Sequence, residues 1–399
     1  LDQFLQSKTN QRTDDYGGPD IDCSAPPTSL ADNAYCANGI NRASRLTQNT
    51  GGVGLQLTES HDIFGAKNQA VVGVNFDRST DRYAQNFQYA TLTPERTAVS
   101  NVNAFNPAET VNSLSGSNKI LGVYLTDTFS PNDLLHFTAS ARYNRNTETL
   151  NGFSVDTDVG DFGDDFDEAN PLIENHTYSR VNPAFGFTVT PSDKLTLYAD
   201  YNEASRAPTV IELGCSDPEN PCGLPNDFAS DPNLKQVIAR TVEIGARGST
   251  EDKRLNWSVD VFHTVNSNDI QFIATSTSEG YFDNVGSTRR QGLDLAVGGQ
   301  LADLSWHLVY SYVDATYRSN FEVNGESNSS ADEDGNIQVR AGDRIPLIPR
   351  HTGRVVLDYA VTKDWDVGAN PILSSGVFLH GNENNANQAG GTNGEGAEV

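Results

Sequence analysis

Methionine is absent from all 399 residues, tryptophan occurs three times and cysteine four times. Basic residues are scarce, with 27 Lys and Arg against 53 Asp and Glu, a formal net charge of −26. That balance excludes a nucleic-acid partner, because phosphate binding needs a basic face to displace counterions. No run approaches the ~20 consecutive apolar residues of a transmembrane helix, so helical membrane proteins are excluded as well. Hydrophobic residues make up 36% of the chain, too few for one conventional core of this length, while 9% aromatics argue against simple disorder. With no initiator residue, and with Leu1 opening directly on LDQFLQ, the chain reads as a processed product or an internal piece.

The cysteines fall in two close pairs, Cys23/Cys36 and Cys215/Cys222, both in Pro/Asp/Asn-rich stretches of loop character. Neither pair has C-x-x-C spacing or a neighbouring histidine, which excludes a zinc site. Local disulfides in an oxidising compartment are expected, although four cysteines allow three pairings and free loop thiols are the alternative.

Helical periodicity is as rare as cysteine; period-2 alternation is nearly everywhere. Leu195, Leu197, Ala199 and Tyr201 alternate with Thr196, Tyr198, Asp200 and Asn202. Trp257, Val259 and Val261 alternate with Ser258 and Asp260, and Gly353, Val355, Leu357 and Tyr359 with Arg354, Val356 and Asp358. Successive side chains of a strand point to opposite faces, so each strand has one apolar and one polar face.

Tight polar links occur at 130–133, 191–194, 249–253, 301–303 and 362–364, with a slightly longer one from His61 to Asn68. Between them lie long Gly/Asn/Asp/Ser stretches near 79–118, 146–177, 203–239, 264–288 and 314–341. This alternation predicts an all-β, antiparallel, up-and-down transmembrane barrel with short periplasmic turns and long extracellular loops. Six hairpins give about twelve strands. The acidic runs at 156–165 and 332–336 lack the spacing and flanking helices of an EF-hand and read as solvated loops.

The stretch EASRAPTVIELGCSDPENPCGLPNDFASDPNL (203–234), the strand Thr241–Gly245, FDNVGSTRRQGLDL (282–295) and GDRIPLIPRH (342–351) occur in an order that resembles TonB-dependent outer-membrane receptors. The resemblance covers about Gly51 to Asn382 and implies uptake of a large, scarce nutrient such as an iron chelate. Its implied partners are outer-membrane lipid and the inner-membrane coupling protein TonB, reached through a plug domain. No energy-coupling box, plug or aromatic-ended terminal strand is visible, so residues 1–399 are expected to be a partial barrel domain with the plug absent. A passive porin or an adhesin barrel is the alternative, and a soluble β-sandwich or propeller is opposed by the lopsided connections.

No cofactor is expected. The seven histidines show no metal spacing, and no G-x-S-x-G, H-E-x-x-H or phosphate-cradling motif points to an enzyme. Strand parity puts Arg142, Arg290 and Arg354 on the lumen-facing side with Asp200, Asp260, Asp294 and Asp358. They are expected either to line the ligand route and hold the plug or to pair with one another. Arg206, beside Pro208 near the mouth, is the one ligand-proximal candidate.

Overall fold

A computed structural model describes residues 2–9, 39–92, 97–99, 109–155, 169–218, 222–223, 234–250, 252, 254–275, 279–325 and 328–388. The early strands are β1 (Asp2–Thr9), β2 (Gly39–Ile63), β3 (Ala66–Leu92), β4 (Ala98–Val99), β5 (Glu109–Ser130), β6 (Leu135–Val155) and β7 (Ala169–Ser192). Then come β8 (Leu195–Arg206), the helix α1 (Val210–Gly214), β9 (Cys222–Gly223), β10 (Val237–Ser249) and β11 (Leu255–Ser267). After β12 (Ile270–Ala274) and β13 (Glu279–Asn284) follow β14 (Ser287–Leu301), β15 (Leu304–Tyr317), β16 (Phe321–Asn324) and β17 (Asn336–Val339). The last are β18 (His351–Thr362), β19 (Trp365–Ala369) and β20 (Ile372–Ser374).

One 15-stranded sheet runs β1-β2-β3-β5-β6-β7-β8-β10-β11-β14-β15-β18-β19, with β4 on β3 and β20 on β18. Every pairing in it is antiparallel, as the alternating links predict. Among the described residues no pairing joins β1 to the β18 end. Strands β19 and β20 lie along the same edge of β18, interrupted at Asn370 and Pro371. Proline cannot donate to a ladder, which confines it to such an edge.

Each of the six tight links turns one hairpin. The link expected from His61 to Asn68 is tighter than that: β2 reaches Ile63, β3 starts at Ala66, and Phe64 and Gly65 turn with φ of 55° and 78°. The long connections also need correcting, because much of them is strand. β2, β3, β5, β6 and β7 run for 25, 27, 22, 21 and 24 residues, about twice the ~10 that cross a bilayer. The ladder satisfies backbone groups whatever the side chains are, so strands continue where both faces are polar and the sequence alternation has faded.

Registers align the apolar faces into rows. Leu55, Val74, Val123, Tyr143 and Val181 stand side by side across β2, β3, β5, β6 and β7, and all are exposed. Ala199, Ile244, Val261, Leu293 and Tyr312 continue the pattern across β8, β10, β11, β14 and β15. Covering each such aliphatic side chain is worth ~1.5–3 kcal/mol. The described core lies instead where the long connections fold back on the opposite, inner face.

Candidate functional site

The long-connection end of the inner face is built, not loose. Pro208 cannot extend β8, and Thr209 caps the next turn: its hydroxyl accepts from the Glu212 N–H at 3.2 Å while the Glu212 carboxylate accepts from the Thr209 N–H at 2.7 Å. Helix α1 so formed buries Val210 and Leu213 among Tyr83, Leu114, Leu150, Leu234, Val237 and Ile270. A Cβ on Gly116 would come within 2.5 Å of Val210 Cγ1, so glycine there lets the helix settle on the wall.

Arg206 does not reach into open space. Its guanidinium forks onto Glu212, Nη1 to Oε2 at 2.7 Å and Nη2 to Oε1 at 3.0 Å, and so ties the end of β8 to α1. Cys215, at the C-cap of α1, is disulfide-bonded and buried, with Sγ 3.6 Å from the Gly280 carbonyl oxygen. The backbone of Cys222 in β9 pairs with the same Gly280 in β13, so both cysteine segments meet at that residue. Cys23, Cys36 and the acidic run 156–165 lie outside the described residues.

The motif at 282–295 acts as a staple. Asn284 accepts from the Lys235 N–H at 2.7 Å and donates to the carbonyls of Lys235 and Asn268 at 3.1 and 2.8 Å. Gly286 turns with φ of 92°, a conformation that disfavours side chains, beside Ser319. Asp314 takes Arg289 at 2.9 Å and, from the 342–351 motif, Arg350 at 3.1 Å. A second core of Val285, Tyr317, Val323, Ile337, Val339 and Ile345 packs beneath the β16–β17 hairpin. In that hairpin Asp332 Oδ1 accepts from the N–H groups of Asp334 and Asn336, so this acidic run is a turn held by its own backbone.

The seven wall residues lie, by register, on the face opposite the apolar rows, but they do not pair with one another. Arg142 donates to Asn75 and Asn144 at 2.6 and 2.8 Å and lies 5.4 Å from the Tyr124 ring centroid. Arg354 donates to Asn370 at 2.8 Å, and Arg290 reaches Asp269 at 3.8 Å. Asp200 accepts from Asn202 at 3.0 Å, Asp294 accepts from Ser311, and Asp260 faces Asp294 across the ladder. Asp358 stands opposite Ser305 and Gly368. Arg142 and Arg354 therefore contact amides rather than the wall aspartates, and Arg290 contacts a carboxylate outside the set. The result is a polar wall with net negative charge. At its short-turn end a cavity of about 1040 Å³ is lined by Thr196, Arg247, Ser258 and His307, among others.

Glu148 escaped sequence reasoning. It stands on the inner face of β6, beyond the apolar rows, opposite Asn118 and His176. The residue is 0% exposed and neither carboxylate oxygen has a hydrogen-bond partner. Burial, helped by the Asp81 charge, pushes its pKa up to about 8. Nothing in its local sequence, NTETLN, separates it from a solvated loop glutamate; only the helix folded over Leu150 does.

The sequence model of the family described as TonB dependent receptor-like, beta-barrel, matches residues 2–396. The chain belongs to that family. Members of the family are transport receptors, not enzymes. Among characterised relatives, the catecholate siderophore receptor Fiu of Escherichia coli K12 is 25% identical over 143 residues, which is 35% of this chain and 16% of the relative. The closed form of Fiu has the same fold, with a TM-score of 0.63 and 17% identity over 99% of this chain and 52% of that one. The unliganded ferric citrate transporter FecA gives 0.58 and 17% over 85% and 43%. The ferric yersiniabactin uptake receptor FyuA of Yersinia pestis gives 0.57 and 11% over 88% and 46%. This TonB-dependent receptor chain thus spans about half the length of the solved relatives it matches.

Proposed function

We propose that the protein takes up a bulky, scarce ligand of the iron-chelate class across the bacterial outer membrane, driven by the inner-membrane coupling protein. The observation that carries the reading is the opposition of two faces. Exposed or half-buried aliphatic and aromatic rows cross ten adjacent strands on one side, and a wet wall carrying Arg142, Asp200, Asp260, Arg290, Asp294, Arg354 and Asp358 lines the other. Lipid suits the first and a plugged aqueous lumen the second. The long-connection end, with its stapled rim, faces the medium and receives the ligand; the short turns face the periplasm. The cavity beside Arg247 and His307 gives an internal plug a polar surface to rest on. Siderophore receptors among the relatives support the ligand class.

The test is uptake of labelled ferric catecholate and ferric citrate by cells carrying the full-length protein, with and without the coupling protein. Uptake of either that stops when coupling is removed is expected. Uptake that persists would favour a passive porin, and binding without uptake would favour an adhesin.

A further inference from the structure

The outward face of β2–β6 carries an unusual sorting of charge beyond the apolar rows. Phe76 and Leu121 face each other in the last exposed apolar row. In the next outward row Arg78 stands opposite Lys119, while Arg145 stands opposite Leu121 and Arg82 lies two outward rows beyond Arg78 on β3. Arg45 completes the patch on β2, and all five cations are exposed. The alternate, outward positions of β3 from 78 to 84, β5 from 113 to 119 and β6 from 145 to 151 hold no carboxylate. The acids beside this stretch of β3 and β6, Asp77, Asp81 and Glu148, sit on the inner face. Among the described residues none of the five cations has an ion pair or a side-chain hydrogen bond. A pocket of about 400 Å³ opens here, lined by Arg78 and Arg82 with hydroxyls from Thr80, Ser117 and Thr149.

In a chain of net charge −26, Arg78, Arg82, Lys119 and Arg145, unpaired on a stretch of β3, β5 and β6 whose outward positions hold no carboxylate, repel one another and call for anions from outside. Their position names the kind of anion. The patch begins with Arg145 in the row of Phe76 and Leu121 and continues outward from it, at the level where headgroups lie. Guanidinium forks match phosphate oxygens two at a time, and the surrounding hydroxyls suit a polyhydroxylated headgroup.

We propose that this patch binds the phosphate-bearing headgroup of an outer-leaflet lipid, with Arg78 and Arg82 on the phosphate and the acyl chains along the Phe76–Leu121 row. A soluble anion would gain nothing from that apolar row. The inference rests on the membrane orientation proposed above.

The full-length protein is reconstituted in phosphatidylcholine nanodiscs with a bisphosphorylated diglucosamine lipid or its dephosphorylated form, extracted, and read by native mass spectrometry. Insertion into phosphatidylcholine alone is measured first by protease protection. Wild type should retain the phosphorylated lipid, and the R78S/R82S/K119S variant should retain roughly tenfold less or lower, with equal insertion. The R78K/R82K variant keeps charge but loses the fork and should fall between them. Retention by wild type should also drop with rising salt. Equal retention by wild type and the triple variant, or of both lipids, would overturn the headgroup site while leaving the membrane reading intact. Displacement of the lipid by millimolar inorganic phosphate would assign the pocket to a soluble anion and overturn it too. Failure of the wild type to insert would sink the membrane reading, and this inference with it.

Discussion

Arg206 and Glu212, six residues apart, close a turn through a two-pronged ion pair of 2.7 and 3.0 Å, and the same Glu212 caps the helix that it begins. One carboxylate therefore fixes both the exit of β8 and the start of α1. Glu212 is mostly covered whereas Arg206 is half exposed, so solvent screens part of the attraction.

Removing Arg206 should loosen the turn without unfolding the wall. R206A is expected to cost ~1 kcal/mol, and E212Q about as much again, because the cap weakens too. Hydrogen exchange at Val210–Gly214 reads this directly. Protection there unchanged in both variants would mean that Val210 and Leu213 alone hold the helix.

Arginine should be costly on one face of the wall only. At outward Leu197, Ile244 or Val261, all exposed, it is expected to lower folding stability in lipid vesicles by ~2–4 kcal/mol near mid-bilayer. The same change at inward Thr196 or Ser258 should be far milder. Equal penalties on the two faces would show that the apolar rows do not meet lipid.

Glu148 should make the rim sensitive to alkali. Its carboxyl titrates near 4.5 when the chain is unfolded and near 8 when buried. A raised acid pKa means that the fold holds the proton more tightly than the unfolded chain does. Stability is thus full below pH 4.5, and falls as pH rises through that window toward 8, by up to ~1.4 kcal/mol per unit. E148Q, which cannot ionise, should flatten that slope. Unfolding free energies in detergent at pH 5 and pH 9 decide it; parallel pH profiles for wild type and variant would refute the role of Glu148.

Cys215 is expected to bond to Cys222, closing a short loop worth at most ~3 kcal/mol. Peptide mapping of the unreduced, alkylated protein checks this. Reduction should raise exchange in α1 and β9 and leave β10 and β11 unchanged. A peptide linking Cys215 to Cys23 or Cys36 would exclude the pairing.

Some of this architecture is legible in the sequence alone. Alternation in Leu195–Asn202 and Trp257–Val261 assigned each side chain to a face, since parity is a local property of an extended chain. The Pro/Asn/Asp links placed the hairpins for the same reason: turn chemistry acts over three or four residues. Where alternation faded above the apolar rows, the sequence suggested loops, yet β3 runs to Leu92 and β6 to Val155. Ladder hydrogen bonds belong to the backbone and leave no mark on side-chain composition.

The sequence by itself determined the strand class, the turns, the two faces and the family. It did not determine who meets whom. That Arg206 reaches Glu212, that Arg142 chooses Asn75 over an aspartate, and that Asp314 gathers Arg289 and Arg350 follow from register and from the path of the returning loops. The burial of Glu148 and the gathering of Arg78, Lys119 and Arg145 into one patch are likewise tertiary facts. Parity fixes a residue's face within its own strand, but the neighbour on the next strand is set by how far the two have slid, and sliding by two residues leaves every parity unchanged.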